Sequence, residues 1–264
     1  MNKEKFVGII PARYASTRFP GKPLASIGGK LMIQRVYEQA SKVLDLVYVA
    51  TDDQRIYDAV VGFGGKAIMT SDKHKSGTDR IAEAARIIAQ NTGVEYDVVV
   101  NVQGDEPFIH RSQIQSVLSC FDDAATQIAT LGKPFGTDGA ASFKAISNPN
   151  SPKIAVSQHG YAMYFSRSVI PYCRGVDQQQ WHASFPYLKH IGIYAYRTDV
   201  LHEITQLPQS PLEKAESLEQ LRWLENGYRI KVGLTDVETI GIDTPEDLER
   251  AEQFLQNSSH CWEV

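Results

Sequence analysis

The sequence predicts an α/β fold: a doubly wound, mostly parallel sheet interrupted by an antiparallel insertion. Three observations carry that expectation. Apolar β-branched runs alternate with helical periods over the first half, the rhythm changes near residue 122, and helix and strand patterns return from residue 212.

The first alternation is a strand at 6–10, then Met32, Val36, Ala40 and Val43 at helical spacing, then a strand at 46–50, which together make a βαβ unit. A helix over 54–63 follows, closed by Gly64-Gly65, then a short strand at 67–69, a helix across 78–89 and the strongly apolar strand 98–102. Continuous apolar runs of this kind belong to strands buried on both faces of a parallel sheet. Right-handed crossovers then bring the loops after Ile10, Ala50 and Val102 to one edge of the sheet. That carboxyl edge is where open α/β sheets hold ligands.

Beyond residue 122 strands are expected at 127–131, 153–157, 162–165 and 191–196, separated by irregular Pro-, Gly- and Asn-rich segments. Helical spacing over 212–225, ended by Asn226-Gly227, leads to a strand at 230–234 and a last helix from Thr244-Pro245-Glu246-Asp247. No internal repeat or linker is visible. The expectation is therefore a single domain over 1–264, with 1–121 and 206–257 as the α/β core and 122–205 as the insertion.

A chain of 264 residues, 42% hydrophobic, can bury a full-sized core. Its 27 basic and 31 acidic residues give a net charge of −4, so no global basic field points to nucleic acid, and small anions suit the local positive loops better. Cys120, Cys173 and Cys261 have no C-x-x-C spacing, and the chain shows neither a signal peptide nor an apolar span long enough for a membrane. A cytoplasmic protein with no membrane partner is expected. The seven histidines form no zinc pattern, so any metal should be hard and held by oxygen.

The loop after the first strand, from Pro11 to Leu24, is the densest chemical signal. Arg13 and Arg18 offer planar forks of donors, Lys22 a mobile point charge, and Gly21 lets backbone approach a phosphate, while Pro20 and Pro23 stiffen the turn. Gly21-Lys22 is followed by Pro23 rather than a metal-binding hydroxyl, so the loop is not a Walker motif. It reads as a polyphosphate site, with a solvated charged loop as the plain alternative.

The strand 98–102 runs into Gln103-Gly104-Asp105-Glu106-Pro107. Gly-Asp and Glu-Pro are common turn pairs, but beside bound phosphate a carboxylate makes sense chiefly as a Mg²⁺ ligand, and Asp105 is the first candidate. In Asp243-Thr244-Pro245-Glu246-Asp247 a capping box accounts for Thr244 and Asp247 and leaves Asp243 as the second. Ser76-Gly77-Thr78-Asp79-Arg80 opens a helix; Ser76 and Thr78 suit simple capping, whereas Arg80 in the first turn opposes the helix dipole and invites a functional reason. Taken alone, the helix around Glu219 is amphipathic with a solvated face and His190 is a structural histidine.

With these residues assembled, the chain closely resembles the 3-deoxy-manno-octulosonate cytidylyltransferase family of Gram-negative bacteria over nearly its full length. The resemblance is carried by IPARYASTRFPGKPL, SGTDR, VNVQGDEP, YFSRSVIP, HIGIYAYR, SPLEKAESLEQLR and GIDTPEDLE, in that order. It implies a three-layer, Rossmann-like sheet of the nucleotide-diphospho-sugar transferase type and a homodimer formed through the insertion. It also implies transfer of CMP from CTP to 3-deoxy-manno-octulosonate (Kdo), with release of pyrophosphate, for lipopolysaccharide synthesis.

By the same resemblance Arg13, Lys22, Asp105 and Asp243 would be catalytic, with Mg²⁺ on Asp105 and Asp243. Pro11, Ala12, Arg13, Ser16, Lys22, Ser76, Gly77, Thr78, Arg80, Gln103 and Asp105 would bind the nucleotide. Gln103, Arg167, His190, Tyr194, Glu219 and Gln220 would bind Kdo, which replaces the plain reading of His190 and the late helix. Residues 122–150, 174–185 and 257–264 carry no shared motif. The rivals are activation of another 2-keto sugar acid such as sialic acid, against which the motifs around His190 and Glu219 speak, and a non-catalytic nucleotide-binding regulator.

Overall fold

The computed structural model describes residues 4–15, 19–136, 142–238 and 240–257. They form two compact units, one of 1–114 with 239–264 and one of 115–238.

In the first unit the chain runs through β1 (Phe6–Ala12), the short hairpin β2 (Ser26–Ile27) and β3 (Lys30–Leu31), α1 (Met32–Ser41), β4 (Val47–Thr51), α2 (Gln54–Gly62), β5 (Ala67–Met69), α3 (Gly77–Thr92) and β6 (Val98–Asn101). β1 pairs in parallel with β4 and with β6, and β4 with β5, giving the spatial order β6-β1-β4-β5. All four residues of β6 are buried, as its unbroken Val-Val-Val-Asn run requires of a strand covered on both faces. α1 buries Met32, Ile33, Val36 and Ala40 at helical spacing, and α3 buries Ile81, Ala84, Ala85 and Ile88. The expected βαβ alternation is present, with element ends shifted by at most three residues. The hairpin was not expected; Gly28 at φ 53 and Gly29 at φ 77 build its two-residue turn, a conformation that suits glycine.

The C-terminal helix (Pro245–Asn257) returns to this same unit. Ile242 and Ala251 join Ile27, Met32 and Phe108 in one apolar cluster, flanked by Phe254 and Leu255, and Glu252 accepts a hydrogen bond from the Gly28 amide at 2.8 Å. This docking fixes where Asp243 lies.

α4 (Arg111–Ser119) carries the chain into the second unit. Its strands are β7 (Ile128–Pro134), β8 (Lys153–Val156), β9 (Ala162–Ser166), β10 (Leu188–Arg197) and β11 (Ile230–Leu234). β10 runs antiparallel to β7 and to β8, β8 antiparallel to β9, and β11 parallel to β7. The antiparallel character expected of the insertion is present. Residues 206–238, expected with the core, cluster with the second unit, where β11 pairs with β7.

The remaining helices of this unit are α5 (Phe143–Ser147), α6 (Trp181–Ser184), α7 (Thr198–Ile204), α8 (Pro211–Glu216) and α9 (Gln220–Glu225). The single helix expected over 212–225 is broken at Ser217, which sits in the left-handed region at φ 52. α8 is closed at its start by a capping box between Ser210 and Glu213. Lys153 is fully buried and donates to the carbonyls of Asn148 and Arg167, and burial pushes its ammonium down to about 8. Among the described residues no helix is long and apolar enough to cross a membrane.

Candidate active site

The carboxyl ends of β1, β5 and β6 open onto a cavity of about 280 Å³ in the first unit. Its wall includes Pro11, Ala12 and Arg13 from β1 and its loop, Lys22 from the same loop, Gln103, Gly104 and Asp105 after β6, and Asp243 ahead of the C-terminal helix. The site lies on the edge where the sheet topology puts ligands.

Two loops meet here with no room between them. A methyl group on Gly104 would lie 2.7 Å from the carbonyl oxygen of Pro11, so only glycine lets the β6 loop pass the end of β1. In the first loop the Gly21 amide donates to the Tyr14 carbonyl at 2.9 Å, and Gly21 at φ 72 lies against the Tyr14 ring. Above that ring sits the Arg55 guanidinium, 3.3 Å from its centre and bonded to Asp53. Tyr14 is thereby held between Gly21 and Arg55, and the adjoining Arg13 and Lys22 face the cavity.

Asp105 and Asp243 converge on one cation. The Lys22 ammonium lies 2.9 Å from Oδ2 of Asp105 and 3.2 Å from Oδ1 of Asp243. A backbone bond from the Ile242 amide to the Asp105 carbonyl, at 2.9 Å, ties the two acidic loops together. Asp247 closes the expected capping box on Thr244 and also accepts from the Asp243 amide, while the Asp243 carboxylate turns to Lys22. Among the described residues no group of three or more His, Cys, Asp or Glu could enclose a metal. Two hard carboxylates aimed at one positive charge fit a cation that completes its shell with phosphate oxygens and water, as Mg²⁺ does.

Arg80 is 4% exposed and lines the cavity with its guanidinium held 2.6 Å from Asp52 and 2.7 Å from the Thr70 hydroxyl. The Asp52 carboxylate offsets the cost of a cation in the first helical turn. Ser76 caps α3 by accepting from the Asp79 amide, and with Gly77 it also lines the cavity. Thr78 is buried and stands outside the cavity wall. Ser16, expected on the triphosphate, lies outside the described residues, as do Arg18 and Cys261.

Sequence reasoning missed His74 and Lys75, which also line the cavity. The signal was their place just ahead of Ser76-Gly77 at the mouth of a helix.

The residues expected on Kdo, Gln103 apart, belong to the second unit. His190 and Tyr194 on β10 have ring centres 5.4 Å apart, and His190 also packs on Phe165 of β9. The Trp223 ring of α9 stands edge-on to Tyr194 at 5.3 Å, which brings Glu219 and buried Gln220, at the start of that helix, to the same strand. Arg167 donates to the carbonyls of Pro149, Glu216 and Ser217 and so locks the α8–α9 corner; its guanidinium is largely engaged by backbone.

Burial pushes the His190 imidazole down to about 3, so at neutral pH it is uncharged, with the Thr130 hydroxyl 3.1 Å from Nε2. Burial likewise raises the Tyr194 phenol well above its ordinary value, with Tyr196 and Glu219 adding to it. Among the described residues Gln220 Nε2 is buried with no hydrogen-bond partner.

The cytidylyltransferase family profile matches residues 7–231. The chain is 65% identical over 253 residues to the 3-deoxy-manno-octulosonate cytidylyltransferase of Parabacteroides distasonis, covering 96% of this chain and 99% of that protein. It is 63% identical to the protein of the same name from Bacteroides thetaiotaomicron, covering 97% and 100%. Its backbone matches the solved structure of CMP:2-keto-3-deoxy-manno-octonic acid synthetase complexed with CTP at a TM-score of 0.86 and 44% identity, covering 96% and 99%.

Proposed function

The chain belongs to the cytidylyltransferase family, and from that premise we infer that it transfers CMP from CTP to Kdo, giving CMP-Kdo and pyrophosphate. The observation that carries this reading is the convergence of Asp105, Asp243 and Lys22 on one point of a cavity that Arg13 also lines.

In the reaction the anomeric oxygen of Kdo attacks the α-phosphorus of CTP, the bond from that phosphorus to the bridging oxygen breaks, and pyrophosphate leaves with its electron pair. The hydroxyl proton passes to solvent. This chemistry asks the protein mainly to position groups and offset charge. Arg13 and Lys22 hold the triphosphate and oppose the charge that grows on its oxygens. Pro11, Ala12, Ser76 and Gly77 shape the cavity, and Gln103 follows β6 directly into it. Asp105 and Asp243 would hold Mg²⁺, which when bound supplies Lewis-acid neutralisation of phosphate charge.

Kdo is recognised by His190, Tyr194, Glu219 and Gln220, with Arg167 fixing the corner that presents the last two. An uncharged His190 serves as a hydrogen-bonding group for sugar hydroxyls; held near 3, it is no proton shuttle at neutral pH. We further infer a homodimer, a cytoplasmic location and a product destined for lipopolysaccharide. The exposed Met163, Tyr172 and Leu234 of the second unit suit cover by a second copy, and sedimentation equilibrium at a dimer mass is the expected result.

The test is pyrophosphate release with CTP or UTP, each paired with Kdo or sialic acid. Release confined to CTP with Kdo is expected; activity only with UTP, or only with sialic acid, would overturn the substrate assignment. Asp105→Asn with near-normal release in Mg²⁺ would overturn the metal assignment.

A further inference from the structure

The cavity has basic side chains on a second wall, and the assigned roles leave them unused. His74 and Lys75 line it from the segment between β5 and α3, while Arg13 and Lys22 come from the loop after β1. This segment is pinned at several points. Thr70 bonds to the Thr51 carbonyl through both its amide and its hydroxyl and accepts from Arg80, and Ser76 caps α3. Between those anchors Glu83 reaches back from α3: one carboxylate oxygen, Oε2, takes the Ser71 amide at 2.8 Å and the His74 ring nitrogen Nε2 at 2.5 Å.

A carboxylate on Nε2 fixes the ring's orientation and leaves Nδ1 to meet a ligand. Glu83 is itself partly buried; burial pushes its carboxyl up, but the hydrogen bonds from His74 and from the Ser71 amide outweigh this and hold it below its usual range. A solvated surface histidine would need no such support. His74 stands on the cavity wall, three residues ahead of the first residue of α3, where the helix dipole favours an anion.

We propose that His74 is a phosphate-binding group for the CTP polyphosphate and that Glu83 is its positioning residue. Lys75, exposed on the same wall, adds a charge. The chemical class bound is a polyphosphate chain rather than a base or a sugar. The proposal rests on the reading of this cavity as the CTP site.

The test is isothermal titration of the full chain in Mg²⁺ with CTP and, separately, with CMP, alongside pyrophosphate release with Kdo. His74→Gln should weaken CTP binding by about tenfold, the worth of one charge-assisted hydrogen bond, and CMP binding by less than about twofold. His74→Lys should recover most of the loss. Glu83→Gln should weaken CTP by a smaller factor, raising KM for CTP while kcat and KM for Kdo hold, with an unchanged melting temperature. Equal losses for CTP and CMP, or no loss in His74→Gln, would overturn the proposal while leaving the cavity assignment intact. A wild-type protein that releases no pyrophosphate from CTP and Kdo would instead overturn the underlying reading.

Discussion

Lys22 occupies the point that two carboxylates share. If it contributes charge toward the triphosphate, Lys22→Met should lower kcat/KM by about 10²- to 10³-fold, as loss of one transition-state charge donor does elsewhere. The same substitution removes the ammonium that Asp105 and Asp243 share. The nucleotide-free variant should therefore bind Mg²⁺ more tightly than the wild type in a direct titration, even though its turnover falls. Tighter metal binding with lost activity separates the two roles of this residue.

His190 makes a second residue-scale prediction. Its folded value near 3 lies below the roughly 6.5 of an unfolded chain, so the unfolded state binds the extra proton between those values. The contribution is fully present above pH 6.5 or so and is lost as pH falls toward 3, at up to about 1.4 kcal/mol per pH unit. Urea unfolding across that window should show a shallower pH slope for His190→Gln than for wild type. Equal slopes would show that the burial of this ring does not govern its ionisation.

At the scale of elements, the meeting of the β1 and β6 loops is the sharpest constraint. Gly104→Ala drives a methyl group into the Pro11 carbonyl, which is backbone and cannot swing aside, so a cost of about 1–3 kcal/mol is expected from the overpacking. Asp105 is the next residue and should shift with it. Activity should fall further than the melting temperature alone explains, as measured by pyrophosphate release well below the melting transition.

Elements also show what the sequence made legible. Strands such as Val98–Asn101 and helices such as Gly77–Thr92 announced themselves because burial imposes a period on their side chains. The hairpin at 26–31 did not, since two-residue strands are too short to show a period and only Gly28-Gly29 marked it. The break at Ser217 was invisible because a non-glycine residue in the left-handed region carries no compositional flag. In the cavity, Arg13, Lys22, Asp105 and Asp243 stood out by residue type at loop positions, whereas His74 needed Glu83, nine residues on, to give it meaning. The clustering of 206–238 with the second unit was not legible for a related reason: pairing of β11 with β7 is a long-range choice that local pattern does not encode.

For the whole molecule, the cavity proposed to hold the nucleotide is lined by residues of one of the two units. CTP with Mg²⁺ should stabilise the protein by about 2.7 kcal/mol at one hundred times its dissociation constant. Hydrogen exchange with CTP alone should slow first at residues 11–13, 74–77 and 103–105. Protection confined to the second unit would contradict the placement of the nucleotide.

The bond from the Ile242 amide to the Asp105 carbonyl joins residues that a ribosome makes far apart in time. The first unit is discontinuous: its sheet is translated early, but Asp243 and the helix that seats it follow the whole of the second unit. Since domains on a growing chain form from the amino end, the contiguous second unit can fold while the first still lacks its closing segment. A nascent chain therefore carries Arg13, Lys22 and Asp105 but lacks Asp243 until the whole of the second unit has been made.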